Sequence, residues 1–270
     1  MSDKLLLKVI KPIVNLLKKK NYISKWFFIR YNDPDFHIRI RLFITDCSLT
    51  GDIINIFHTE LKKWSSSHFL HKVQIDTYIR EIERYENNLI EETEHLFYMD
   101  SECILSLLPQ LNKNKNYRWM IAIKLIDSLL MDFKLDLCQK QIIIEQMNHN
   151  FKKEFGFNLY NSKQFNSIYR INRKTIESIL ETYSNDSEFH SLYRHINRRT
   201  IKSRNLISTI KNKINNSKSI KLNNLLNSYI HMSMNRLFPD KARMHELIIY
   251  DMINRFYSSA LAKEKYNNKT

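Results

Sequence analysis

Residues 26–42, WFFIRYNDPDFHIRIRL, alternate closely enough to specify a β-hairpin. Asn32, Asp33, Pro34 and Asp35 supply the turn, because Asn, Asp and Pro each favour tight turns for local reasons. In the second strand Phe36, Ile38, Ile40 and Leu42 fall on one face and His37, Arg39 and Arg41 on the other. The apolar face must be covered. The opposite face carries cations two residues apart, and a guanidinium is a planar fork suited to gripping carboxylate or phosphate. A wet outer sheet face is the ordinary fate of such a row. An anion-binding floor is its functional reading.

A chain of 270 residues can bury a full core, as one large domain or two small ones. Its 43 Lys and Arg against 28 Asp and Glu give a net charge of +15, which suits anionic partners without choosing among them. Gly51 and Gly156 are the only glycines, and no GxGxxG or GxxxxGKS/T motif occurs. Loops that cradle phosphates need several glycines where backbone approaches ligand, so the common nucleotide-driven chemistries are excluded. Cys47, Cys103 and Cys138 lack CxxC spacing and read as buried thiols of a reducing compartment, which places the protein in the cytoplasm. No cofactor and no metal site is expected. No apolar run is long enough to span a bilayer. Near the N-terminus, Leu5, Leu6, Val9, Ile13, Leu16 and Leu17 group on one side of a helix that Pro12 kinks or restarts. Packing against the rest of the protein is favoured for it over membrane-surface binding.

Along the chain, Thr50-Gly51-Asp52 opens a helix carrying Ile53, Ile56, Phe57, Leu61 and Trp64. Residues 72–85 alternate like a strand, with Val73, Ile75, Thr77 and Ile79 against Lys72, Gln74, Asp76 and Tyr78. Helical spacing then runs through 90–108, 117–133, 137–155, 164–183, 188–214, 221–237 and 239–262, with Pro239 as the N1 residue of the last helix. The expected fold is α+β: a small, mainly antiparallel sheet from the N-terminal third packed against a predominantly helical C-terminal region. It is read as a single domain over 1–270, with an amphipathic helix at 1–23, a strand-rich part at 24–90, a helical part at 91–263 and a tail at 264–270.

Three short motifs stand out: HIRIR at 37–41, REIERY at 80–85 on the expected strand, and HMSMNR at 231–236 on a late helix. Singly, each has a bland explanation. Glu81 and Arg84 suit a surface pair, and His231 suits a satisfied core histidine. Together, in this order, they resemble the C-terminal domain of lantibiotic dehydratases, also called the thiopeptide-type bacteriocin biosynthesis domain. The family pattern is an aromatic-rich strand ending in RY, a turn with Pro, a strand H-L/I-R-L/I-R, then E-x-x-R-Y, and near the end H-M-x-x-N-R. The matching stretches are Phe28-Ile29-Arg30-Tyr31, Asp33-Pro34, 37–41, 81–85 and 231–236. They bracket nearly the whole chain, and with no glutamylation domain before them the likeness is to the free-standing form. Where the family usually follows RY with two glycines, Glu86 and Asn87 stand here, which implies a differently shaped loop.

The resemblance implies a carbon–oxygen lyase that removes glutamate from glutamylated Ser or Thr of a precursor peptide, leaving dehydroalanine or dehydrobutyrine. It implies His231, Arg41 and Arg84 as catalytic residues and Arg39, Glu81 and His37 as substrate-binding ones. The chemistry suits these residue types: fixed cations stabilise developing negative charge, and imidazole as a class exchanges protons near neutral pH. The implied partners are a glutamylated precursor peptide and a separate glutamyl-tRNA-dependent glutamylating enzyme, with a homodimer left open. One alternative on the same fold is a [4+2] cycloaddition that builds the pyridine core of thiopeptides. The complete Arg, Arg, Glu, Arg, His set favours elimination, since cycloaddition has no glutamate to grip. An alternative of another class is a non-catalytic peptide- or tRNA-binding subunit. The face bearing His37, Arg39 and Arg41 is expected to line a pocket reached by Glu81, Arg84 and His231. The odd spacing of Glu81 and Arg84 then requires a bend or bulge near Ile82.

Overall fold

The computed structural model describes residues 2–33, 35–65, 70–181, 187–216 and 221–267. Pro34 of the expected turn, the last residues of the 164–183 helix and residues 268–270 of the expected tail lie outside them. The class is α+β, with a small antiparallel sheet near the N-terminus of an otherwise helical protein. The chain divides into two compact units, residues 1–112 and 113–270.

The first unit begins with α1 (Ser2–Leu5), a π-helical turn (Leu6–Ile10) and α2 (Lys11–Lys19) in direct succession. Pro12 lies just after the π-helical turn, and the backbone stays helical through it, with Ile10 and Lys11 both in the right-handed region. Leu6, Val9, Ile10, Ile13, Val14 and Leu17 are buried, while Leu16 is exposed. The stripe therefore packs within the protein, as its composition suggested.

Strands β1 (Ile23–Tyr31) and β2 (His37–Ile44) form the hairpin. Trp26 lies opposite Leu42, Phe28 opposite Ile40 and Arg30 opposite Ile38, which defines the apolar face. Phe27 opposite Arg41, Ile29 opposite Arg39 and Tyr31 opposite His37 define the other. The apolar face is tied to α5 (Ile90–Lys113): the Phe28 amide donates to Ser101 Oγ at 3.3 Å and Trp26 Nε1 to Glu102 Oε1 at 2.7 Å. Lys18 of α2 reaches the same Glu102 oxygen at 2.7 Å. Arg30, buried among apolar neighbours, donates to Asp3 Oδ1 at 2.7 Å and to Ser2 Oγ at 2.5 Å, which anchors α1 to the sheet. After β2, a 3₁₀ turn (Cys47–Leu49) leads into α3 (Thr50–Ser65), which starts at the expected residue.

Residues 72–85 are not a strand. No ladder is formed over 70–80, Val73, Ile75 and Ile79 are exposed, and a single helical turn, α4 (Ile82–Tyr85), follows. Alternation describes one partner of a pairing, and here the other backbone is missing. A second difference lies in α5, expected to end before Pro109, which continues to Lys113. Leu107, Leu108 and Leu111 are fully buried, and that burial outweighs the lost hydrogen bond of one interior proline.

In the second unit, α6 (Tyr117–Asp132) is buried on almost every side and packs against α8 (Leu159–Glu181), α9 (Ser187–Asn215), α10 (Leu222–Leu237) and α11 (Ala242–Asn267). A helix apolar all round belongs at the centre of a bundle. Its Asp127 accepts hydrogen bonds from Tyr257 at 2.7 Å and Lys140 at 2.8 Å, which satisfies the buried carboxylate. α7 (Leu137–Glu154) packs along α11 and ends at Gly156, whose φ of +62° closes the helix in the left-handed region. Pro239 is not the N1 residue of the last helix. It lies in the connection after the C-cap Phe238, and α11 starts at Ala242 and runs to Asn267, into the expected tail. Of the cysteines only Cys103 is buried; Cys47 and Cys138 are exposed thiols, contrary to the reading of all three as buried.

Candidate functional site

The charged face of the hairpin is organised rather than loosely solvated. His37 Nδ1 lies 2.8 Å from the Asp35 carbonyl and its Nε2 lies 3.0 Å from Arg39 Nε. The consistent tautomer has Nδ1–H donating to the carbonyl and Nε2 accepting from the guanidinium. His37 stacks on Tyr31 with centroids 5.4 Å apart, and Arg39 lies 3.8 Å over the Tyr31 ring. Arg39 is therefore held flat, with its outer nitrogens left for a ligand, and His37 is a strut beneath it.

Arg41 is covered by Tyr78, whose ring lies 4.7 Å from the guanidinium carbon and makes an edge contact with Phe27 at 5.9 Å. Arg41 Nε is buried there with no hydrogen-bond partner among the described residues. Burial pushes the Tyr78 phenol well above its usual range; the charge of Glu94, a hydrogen bond to it and the charge of Glu81 add to this, while Arg41 opposes it. Glu94 also pairs with Arg80 at 3.0 Å. The segment misread as a strand thus delivers Tyr78 onto the arginine face and Arg80 onto a buried carboxylate.

Glu81 and Arg84 do not lie on a strand: the helical turn Ile82–Tyr85 sets them three residues apart at its start. Glu81 Oε2 and Arg84 Nη1 meet at 3.2 Å, both about half exposed (45% and 49%). Such an exposed pair contributes little stability and opens readily to a ligand carrying both signs. Directly after it, Glu86 takes φ +57° and ψ 150°, a region almost reserved for glycine.

The first unit carries 15 Lys and Arg against 15 Asp and Glu, while the second carries 28 against 13, so the whole surplus lies in residues 113–270. Arg39 and Arg41 thus stand side by side on β2 of a unit whose formal charge is balanced.

In the second unit, His231 of α10 meets Glu246 of α11. Nδ1 lies 2.8 Å from Oε1 and 3.2 Å from Oε2, with the carboxylate fully buried and the imidazole 30% exposed. The carboxylate selects the tautomer with Nδ1–H as donor, leaving the Nε2 lone pair as a proton acceptor. Arg243 lies 3.7 Å from Glu246 and also pairs with Glu154. Burial, then the Glu246 charge, keeps the Tyr250 phenol protonated beside this carboxylate. Glu246 and Tyr78 were missed from sequence. No short motif contains Glu246 together with His231, and Tyr78 read as the outward face of a strand.

The sequence profile described as lantibiotic biosynthesis dehydratase C-term matches residues 1–257, and the chain belongs to that family. It is 24% identical over 254 residues to the epidermin biosynthesis protein EpiB of Staphylococcus epidermidis, spanning 90% of this chain and 23% of EpiB. It is 28% identical over 239 residues to the nisin biosynthesis protein NisB of Lactococcus lactis subsp. lactis, spanning 88% of this chain and 22% of NisB. The chain thus spans less than a quarter of the length of these relatives. Among solved structures, the tRNA-dependent lantibiotic dehydratase MibB from Microbispora sp. 107891 superposes with a TM-score of 0.71 at 16% identity, over 97% of this chain and 27% of MibB. TsrL superposes with a TM-score of 0.63 at 13% identity, over 93% of this chain and 90% of TsrL. At these identities both establish the fold.

Proposed function

We propose that this protein eliminates glutamate from glutamylated Ser or Thr residues of a precursor peptide, giving dehydroalanine or dehydrobutyrine. The observation that carries the reading is the His231–Glu246 pair, which leaves an imidazole nitrogen with a free lone pair in a chain of this family. In the reaction His231 Nε2 takes the α-proton of the esterified Ser or Thr. The Cα–Cβ double bond forms as the Cβ–O ester bond breaks, and glutamate leaves as its carboxylate. Glu246 stabilises the imidazolium so formed. The leaving group keeps a free γ-carboxylate and an α-ammonium. Arg39, Arg41 and Arg84 suit the carboxylate and Glu81 suits the ammonium, so the exposed Glu81–Arg84 pair exchanges internal partners for those of a zwitterion. Fixed cations of this kind act where negative charge develops and need no reorganisation during the step. A glutamyl-tRNA-dependent glutamylating enzyme acts before it in the cytoplasm, where charged tRNA is available.

The test is a reconstituted reaction with a glutamylated peptide, followed by mass spectrometry. Wild type should release every glutamyl group as free glutamate and leave dehydrated residues, whereas Arg84→Ala should leave glutamylated peptide to accumulate. Retention of all glutamyl groups by wild type, with cyclisation of a peptide bearing two dehydroalanines, would replace elimination by cycloaddition.

A further inference from the structure

β2 has a partner on one edge only. The sheet contains two strands, and among the described residues no backbone hydrogen bond extends from residues 37–44 to anything beyond β1. In an antiparallel strand alternate residues direct both N–H and C=O away from the partner, so this outer edge presents a row of unmet donors and acceptors. Every residue of β2 is half-buried or exposed. Of the usual protections of an edge, β2 has only its charged side chains, Arg39 and Arg41: it contains no Lys and no Pro, and the one register irregularity lies at Ile23/Lys25, beyond most of its length. An isolated hairpin is marginal in water and gains from a third strand. The chain's own candidate, residues 70–80, has the alternation of a strand yet makes no ladder, and exposes Val73, Ile75 and Ile79.

The charges on β2 decide what can pair there. A second copy of the edge would bring Arg39 and Arg41 against their counterparts, and like charges on paired strands repel. An extended chain whose side chains end in carboxylates, as each glutamyl group does, meets the opposite condition, because the γ-carboxylate at the tip can reach a guanidinium. We infer that the outer edge of β2 receives the glutamylated precursor peptide as an added strand. This deepens the proposed function and rests on it for the identity of the peptide.

The spacing fits. Alternate residues of a strand stand about 6.6–6.8 Å apart on one face, and neighbours across a ladder lie about 4.5–5.5 Å apart. Glutamyl groups two residues apart on the peptide would therefore stand beside Arg39 and Arg41. Main-chain hydrogen bonds supply affinity without reading side chains, so Ser and Thr in different contexts are accepted. A shift by two residues presents the next site on the same face.

The experiment uses the full chain and a synthetic peptide in which diaminopropionate replaces Ser, carrying glutamyl groups as non-eliminating amides. Hydrogen exchange read by mass spectrometry should show rapid exchange of the outward amides of β2 in the free chain and protection with the peptide bound. N-methylation of alternate backbone amides of the peptide, with side chains unchanged, should weaken binding at least about fivefold, the loss of two main-chain hydrogen bonds. Three outcomes overturn the inference: full protection of β2 in the free chain, no binding of the peptide, or binding indifferent to N-methylation with protection elsewhere. Elimination of an ester-linked peptide, measured separately, stands or falls with the proposed function and not with this edge.

Discussion

The imidazole of His231 lies 2.8 Å from the carboxylate of Glu246, and that carboxylate is completely buried while the imidazole keeps contact with solvent. The pair joins two consecutive helices, α10 and α11, across the short connection containing Pro239. A buried carboxylate facing an accessible imidazole fixes which ring nitrogen carries the proton, and so which one can accept another.

Glu246→Gln keeps the volume and removes the charge. The Gln amide can point its N–H at Nδ1, which turns the imidazole over to the tautomer with Nε2 protonated. On the proposed reaction kcat should fall about 10²-fold or more with KM nearly unchanged, the range of a lost general base. Single-turnover kinetics with a glutamylated peptide read this directly. A variant that loses thermal stability but retains normal turnover per folded molecule would make Glu246 a packing residue only.

Glu86→Gly should stabilise the protein. The strain of a non-glycine residue at φ +57° and ψ 150° is about 1–3 kcal/mol, and the added backbone entropy of glycine returns about 0.5–1 kcal/mol. Urea unfolding should show a gain of about 1 kcal/mol. A loss of stability would show that this backbone is unstrained.

Asp3→Asn should be costly for a residue so near the N-terminus. Its carboxylate meets Arg30 in a pair whose side chains are almost fully buried, and removing one charge leaves the other poorly compensated. The expected loss is about 3 kcal/mol, visible as a lower denaturant midpoint with an unchanged slope. No change in midpoint would mean that α1 contributes nothing to the fold.

His245 contributes acid sensitivity. Burial lowers its pKa, Arg118 and Lys241 add to this and Asp240 opposes it; the ring stacks on Phe238 at 4.3 Å. A histidine lowered in the folded state binds its proton more readily when unfolded. Its stability is thus complete above the unfolded value of about 6.5 and is lost as pH falls below it. His245→Phe should flatten the melting temperature between about pH 7 and 5 relative to wild type. Parallel curves would remove His245 from the acid response.

Much of this was legible in the sequence because the relevant physics is local. The hairpin and the separation of Ile38, Ile40 and Leu42 from His37, Arg39 and Arg41 follow from a two-residue period. The helices of the second unit follow from three- and four-residue apolar steps, each found within a few residues of its observed bounds.

What the tertiary structure alone decided were relations between segments far apart in the chain. Residues 70–80 have strand-like alternation but form no ladder among the described residues. α5 passes Pro109 because leucines on both sides of it, Leu107, Leu108 and Leu111, are fully buried. Tyr78 lies on Arg41, and Glu246 lies under His231. Periodicity records which side of a segment turns toward apolar surroundings. It carries no record of which distant residue stands there, and a buried carboxylate or a covering ring acts through that second residue.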